Sequence, residues 1–98
     1  MRTEFHPEAT LELSEAMLWY EARVPGPGGQ FAARVEEAVE YIERNPEGPK
    51  RITPFLRRWS LKRFRYGVIY SVEPGLIFVY AVAAERREPN YWSGRVAR

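Results

Sequence analysis

Residues 61–92, LKRFRYGVIYSVEPGLIFVYAVAAERREPNYW, constrain the fold of this chain more than any other stretch. Two apolar runs meet at Glu73-Pro74-Gly75, and Pro followed by Gly between such runs marks a tight turn. Val68, Tyr70 and Val72 alternate with Ile69 and Ser71, which is the two-residue period of a strand. Leu76 to Ala83 is apolar at almost every position, which predicts a central strand covered on both faces. Arginines flank the pair at both ends. A rigid hairpin with cations at its rims suits a polyanion or an acidic partner better than a small neutral substrate.

A sheet with one such strand needs a cover, and the N-terminal half supplies it. Arg2-Thr3-Glu4-Phe5 reads as a short first strand. His6-Pro7-Glu8 opens a helix, with Pro at the first helical position and Glu in the first turn, where the helix dipole favours it. Ala9, Leu13, Ala16 and Tyr20 share one face, Leu11 and Leu18 widen the stripe, and the helix is expected to run to about Ala22. Val24-Pro25-Gly26-Pro27-Gly28-Gly29 breaks it. A second helix returns antiparallel with Phe31, Val35, Ala38 and Ile42 inward and Glu36, Glu37, Glu40 and Glu43 toward water, and Asn45-Pro46 ends it. A strand is expected from Phe55 to Phe64, carrying Arg57, Arg58, Lys62 and Arg63, with Leu61 inward. The predicted class is α+β, in the order strand, helix, helix, strand, strand, strand, with the helical hairpin packed on a small, mostly antiparallel sheet.

Ninety-eight residues suggest one domain spanning 1–98. A chain this short needs a dense core, and 45% apolar with 14% aromatic residues provide the material. No cysteine is present, which removes disulfides and thiolate metal sites. There is no Asp either, and no cofactor or metal is expected. Gly26, Gly28 and Gly29 join two helices with no strand before them, so they make a turn, not a phosphate cradle. No apolar run approaches a membrane span and MRTEFHPEA is not a signal peptide, so a cytoplasmic protein without a membrane partner is expected.

The net charge of +2 hides an asymmetry. Residues 1–49 hold ten Glu against four Arg, a balance of −6, whereas residues 50–98 hold eleven Lys or Arg against three Glu, a balance of +8. An acidic back and a basic working face follow. Trp19, Tyr20, Phe31, Tyr41 and Phe78 read as core aromatics, Trp59 as either a base-stacking surface or the cover of a groove, and Trp92 as the cover of a groove that a partner fills. His6 reads as a cap.

RFRYGVIY, AVAAERREPNYW and the opening FHPEATLELSEAMLWYEAR, in this order and at this length, resemble the RelE/ParE superfamily of type II toxin–antitoxin toxins, the ParE-like plasmid-stabilisation type. The matching positions are His6-Pro7-Glu8-Ala9, Glu12-Leu13, Ala16, Trp19-Tyr20-Glu21, Asn45-Pro46, Leu61, Arg63-Phe64, Tyr66 to Tyr70, Arg86-Arg87, Pro89 and Tyr91-Trp92. The resemblance implies a toxin neutralised by a cognate antitoxin, whose disordered segment folds over it in an assembly such as a toxin–antitoxin heterotetramer. It implies one of two targets. The ParE-like branch inhibits DNA gyrase and is not an enzyme. The RelE-like branch is a ribosome-dependent endonuclease of mRNA. A non-toxic antitoxin-binding module is a third reading.

The ribonuclease branch carries catalytic arginines where this chain has Gly67 and Glu85, and its C-terminal tyrosine matches Tyr91. A one-residue shift past Ala83 places Arg86 at the second arginine position. Metal-free RNA cleavage needs a base, cations for the phosphorane and an acid, and in that reading Arg86, Arg87, Tyr91 and Arg65 are the candidates. For target or antitoxin binding the candidates are Arg57, Arg58, Lys62, Arg63, Arg65, Arg86, Arg87, Tyr91 and Trp92.

Overall fold

A computed structural model describes residues 1–23 and 27–96. The elements are β1 (Arg2–Phe5), α1 (Pro7–Arg23), α2 (Pro27–Arg44), β2 (Arg57–Ser60), β3 (Tyr66–Glu73) and β4 (Leu76–Ala84), followed by a short 3-10 turn at Ser93–Arg95. The order is the one the periodicities predict. Of the helix breaker expected over residues 24–29, Val24, Pro25 and Gly26 lie outside the described residues, whereas Pro27, Gly28 and Gly29 are the first residues of α2 and not a turn. His6 closes the strand and opens α1: its Nδ1 accepts the Glu8 N–H at 3.0 Å, and its carbonyl accepts the N–H groups of Ala9 and Thr10. That satisfies part of the donor deficit at a helix start.

The sheet order is β1-β4-β3-β2. β4 is therefore central, parallel to β1 and antiparallel to β3. Glu73 pairs with Leu76, so the hairpin loop is Pro74-Gly75. Gly75 has φ 66°, a left-handed value that the third position of a type II turn requires and that glycine adopts without strain. A bulge interrupts the ladder. Tyr70 pairs with Val79 and Ile69 with Ala81, leaving Tyr80 without an opposite residue. The alternation of β4 changes phase there. Ile77, Val79 and Val82 join the cluster under the helices, while Tyr80, Ala81 and Ala83 face a second cluster with Leu56, Ile69 and Trp92. Both faces of β4 are covered, as its continuous apolar run requires.

Three more expectations change. The strand expected over residues 55–64 is confined to Arg57–Ser60. The Leu61 N–H bonds the Tyr66 carbonyl at 2.9 Å, and Arg63 takes φ 71°, so the chain turns there and Lys62, Arg63 and Arg65 leave the ladder. Leu11 and Leu18 do not widen the buried stripe of α1: they are 49% and 71% exposed, because the helix needs only the Ala9, Leu13, Ala16 and Tyr20 face to meet its neighbours. Trp19 is 44% exposed, with the Arg23 guanidinium 3.5 Å from its ring centre, and is not a core residue.

The core under the helices is aromatic at one end. Tyr20 and Phe31 stack at 5.6 Å, and Phe64 and Tyr66 meet Phe31 edge-on at 5.1 and 4.9 Å. At the other end the buried Tyr70 donates its hydroxyl to the Pro46 carbonyl at 2.8 Å. Burial pushes its phenol up from 10.0 to about 12, Tyr41 adds to the rise, and Arg57 opposes it. A phenol held neutral in the fold supports the fold fully below its unfolded value. That support disappears as the pH rises toward the folded value. Thermal unfolding of the protein is expected to be insensitive to Tyr70 up to about pH 10. Between there and about 12 the melting temperature falls, and Tyr70→Phe removes part of that fall.

Candidate functional site

An open groove of about 840 Å³ lies between α1 and the turns at one end of the sheet. Its floor is small and apolar, made by Ala16, Val82 and Ala84. Trp19, Tyr20, Phe64, Tyr66 and Tyr91 supply aromatic walls. Arg63 and Arg65 reach it from the β2–β3 turn, and Arg86 and Arg87 from the turn after β4. The two turns are joined: the Glu85 N–H bonds the Arg65 carbonyl at 2.9 Å, and the Arg65 guanidinium lies 3.6 Å from the Glu85 carboxylate. With Arg65 92% exposed at its side chain, that pair contributes little to stability. Among the described residues, Arg63 and Arg86 hold no ion pair. Arg87 packs on the Tyr91 ring, its guanidinium carbon 3.9 Å from the centroid.

The wall of the groove rests on Glu12. β1 covers β4 only as far as Val79, although β4 runs on to Ala84. Past that point the edge of β4 would be unpaired, and side chains replace the missing strand. The Val82 N–H donates to Glu12 Oε1 at 2.9 Å, and the Tyr80 carbonyl accepts from Arg95 Nη1 at 2.9 Å. Arg95 also grips both Glu12 oxygens, at 3.1 and 2.8 Å, and Tyr91 donates its hydroxyl to Oε2 at 2.7 Å. The two charged side chains are only 13–14% exposed, a two-pronged charge-assisted clasp. It fastens the C-terminal segment against α1.

This geometry decides what Tyr91 does chemically. Burial, and then its hydrogen bond to Glu12, push the phenol well above the ordinary tyrosine range, against the opposing pull of Arg95 and Arg87. In the free chain the Tyr91 phenol is neutral and donates its proton to the Glu12 carboxylate. The cationic surroundings that would lower it are outweighed by burial and by the nearby carboxylate. Burial, and then Tyr20, also raise the Tyr66 phenol, with Arg86 pulling the other way.

The structure brings together Arg63, Arg65, Arg86, Arg87 and Tyr91 from the sequence candidates, and it separates the rest. Arg57 is consumed internally, donating to the carbonyls of Glu47 and Pro49 at 2.9 and 2.7 Å. Arg58 lies across Gly67, where an added Cβ would come within 2.5 Å of its guanidinium carbon. Lys62 is exposed but does not line the groove. Trp92 is 8% exposed and packs into the second cluster, so it is core and covers no open groove. Trp59 stacks on Tyr41 at 4.3 Å and 11°, which occupies one face of its ring. Glu12 and Arg95 were not among the candidates. Glu12 had a signal: it sits between Ala9 and Ala16 at the spacing of the buried stripe, where a carboxylate needs a partner. Nothing in the Arg95 neighbourhood announces its role.

Among the described residues no group of three or more His, Cys, Asp or Glu side chains is placed to hold a metal ion, and no helix is long and apolar enough to cross a membrane. No protein-family model and no curated protein matches the chain. Among solved structures it is similar to a chain of the chromosomal ParDE TA system from P. aeruginosa, with a TM-score of 0.75 over 86% of this chain and 95% of that one, at 16% sequence identity. The likeness at that identity is one of fold, and the α+β, ParE-like arrangement expected from the sequence is the one the chain has.

Removing one half of the clasp leaves a buried charge unpaired, together with the Val82 N–H if Glu12 is lost or the Tyr80 carbonyl if Arg95 is lost. Glu12→Ala is expected to cost about 3–5 kcal/mol, the range for breaking a buried pair. Arg95→Met alone is expected to cost a similar amount, and the double variant less than the sum, with a coupling of at least about 1 kcal/mol. Urea unfolding of the four proteins reads this cycle, and additive losses would show that the two side chains do not act as a pair.

Proposed function

We propose that the chain is the toxin of a type II toxin–antitoxin system, neutralised by a cognate antitoxin, and that it acts as a ParE-like inhibitor of DNA gyrase. The observation that carries this reading is the structural likeness to a chain of a ParDE system over nearly the full length of both. The groove is consistent with it: an open, arginine-lipped concavity suits a macromolecular partner better than an enclosed metabolite. A cytoplasmic location and a toxin–antitoxin heterotetramer belong to the same proposal.

Between the two targets, the side-chain chemistry favours gyrase. A ribosome-dependent endonuclease needs a proton acceptor beside its cations. Tyr91 is locked as a donor to Glu12, and Glu85, paired with Arg65, brings negative charge where a phosphorane would need positive. At the other arginine position Gly67 lies beneath the Arg58 side chain. The groove therefore gathers cations while its tyrosine is engaged, and the carboxylates that line it, Glu15 and Glu85, add negative charge beside them.

Expression of the chain alone is expected to arrest growth with transcripts intact and plasmid supercoiling altered, and purified protein to inhibit gyrase supercoiling. Tyr91→Phe is expected to keep that toxicity, since it removes one hydrogen bond to a carboxylate, worth about 1.5–3 kcal/mol, and no catalytic group. Cleaved mRNA with unaffected gyrase, and loss of toxicity in Tyr91→Phe, would replace this reading with the endonuclease. Unimpaired growth of cells that contain the folded protein would leave only a non-toxic binding module.

A further inference from the structure

The outer side of β1 is open. β1 ends the sheet order, with β4 on one side and no strand on the other among the described residues. The Arg2 N–H bonds the Gly75 carbonyl and the His6 N–H bonds the Val79 carbonyl, in a parallel register that pairs Arg2 with Leu76 and Glu4 with Phe78. The even-numbered residues therefore aim their backbone groups at β4. Thr3 and Phe5, which alternate with them, aim theirs away from the sheet. Among the described residues, no loop or helix backbone bonds those outward groups. Such an edge is a template for another strand, and short length and charged side chains are its usual guards. β1 has both guards, being four residues long with Arg2 and Glu4 exposed.

The charges guard against most strands but not against a second copy of β1. A two-fold axis perpendicular to the sheet sets β1 antiparallel to its copy, in an isologous contact. The outward residues have odd numbers, so the ladder closes only when odd faces odd, in registers centred on Arg2, Thr3 or Glu4. Centring on Arg2 puts that arginine opposite itself, and centring on Glu4 does the same for the glutamate. Like charges directly opposite are destabilising. Centring on Thr3 puts each Arg2 opposite the other copy's Glu4, at the non-hydrogen-bonded sites where side chains come closest. The backbone bonds then fall between the two Thr3 residues and between Phe5 and Met1. On the helix side Met1, 56% exposed, meets Phe5, which packs on the main core cluster. Arg2 and Glu4 already pair within one chain at 2.9 Å, so both lie on the same face, where the cross-strand pairs would form.

We infer that the chain self-associates through β1, in the register centred on Thr3, and joins two four-stranded sheets into one. The ladder is short, and on the helix side each Glu43, which accepts its own Thr3 hydroxyl, is drawn toward its copy. The dimer is therefore weak and depends on concentration. The inference is independent of the toxin reading, since it needs only the open edge and its charges.

Sedimentation velocity of the intact protein, from micromolar to millimolar concentration, reads the association. The average mass is expected to rise from one chain toward two. Amide exchange over the same range locates the contact: Thr3 and Phe5 are expected to slow with concentration, and Glu4, whose amide faces β4, to stay constant. Arg2→Glu and Glu4→Arg each set like charges opposite at two places and are expected to weaken dimerisation about tenfold or more. The exchange Arg2→Glu/Glu4→Arg is expected to restore it to within about threefold, because the opposed charges are again unlike. Thr3→Pro removes an outward amide at an edge position that tolerates proline and is expected to abolish association, with circular dichroism checking the fold. Thr3→Val, which loses the Glu43 bond but keeps the amide, is expected to dimerise. A monomer at every concentration would overturn the inference. So would a dimer that survives Thr3→Pro, a charge exchange no better than the single reversals, or protection that leaves Thr3 and Phe5 unchanged.

Discussion

The working end of this fold depends on a strand that is too short. β1 pairs four residues of a nine-residue neighbour, and the uncovered part of that neighbour runs beneath α1, where water is excluded: Val82 is 1% and Tyr80 7% exposed. Backbone groups left unpaired in such a place are costly. Glu12 accepts the Val82 N–H and Arg95 donates to the Tyr80 carbonyl, so one carboxylate and one guanidinium stand in for a strand edge. Because the two also bond each other, neither is an isolated buried charge.

Much else follows from that clasp. Arg95 lies at the end of the described chain, so holding it draws the C-terminal segment around the edge of β4. Trp92 is thereby seated on Ile69, Ala81 and Ala83, and Tyr91 is delivered to Glu12 with Arg87 packed on its ring. The groove has its shape because this segment forms one side of it, α1 another, and the β2–β3 turn the third. The bulge at Tyr80 contributes too. By shifting the phase of β4 it sends Val82 to the helix side, where it forms part of the groove floor. The arginine lip sits on two turns that are hydrogen-bonded together, so the cations are presented on a fixed frame while their guanidinium groups stay in solvent.

The architecture was legible because its signals are local and repeat. The helix faces marked by Ala9, Ala16, Phe31 and Ile42, the Pro74-Gly75 turn and the apolar run of β4 each express a short-range period, and packing agreed with all of them. The errors arose where a long-range partner decides. Leu11 and Leu18 carry the helical spacing, but whether a stripe is buried depends on how much neighbour there is to meet it. The charged stretch at residues 61–65 reads as a continuation of β2 until Arg63 turns into the left-handed region, which no hydrophobic pattern reports. Trp92 and Tyr91 are adjacent aromatics in a polar tail, and only the fold tells which one is core and which holds a carboxylate 79 positions away. Glu12 and Arg95 are 83 positions apart, and nothing in either neighbourhood names the other.

The role of Glu12 as a replacement for a strand edge has a direct readout in amide hydrogen exchange at Val82 in the free protein. If the carboxylate holds that N–H, Val82 is expected to be protected to the level of the paired amides of β3 and β4, and Glu12→Ala to expose Val82 before those amides. Exchange of Val82 at the rate of an open loop in the unaltered protein would contradict the clasp, and with it the shape of the groove.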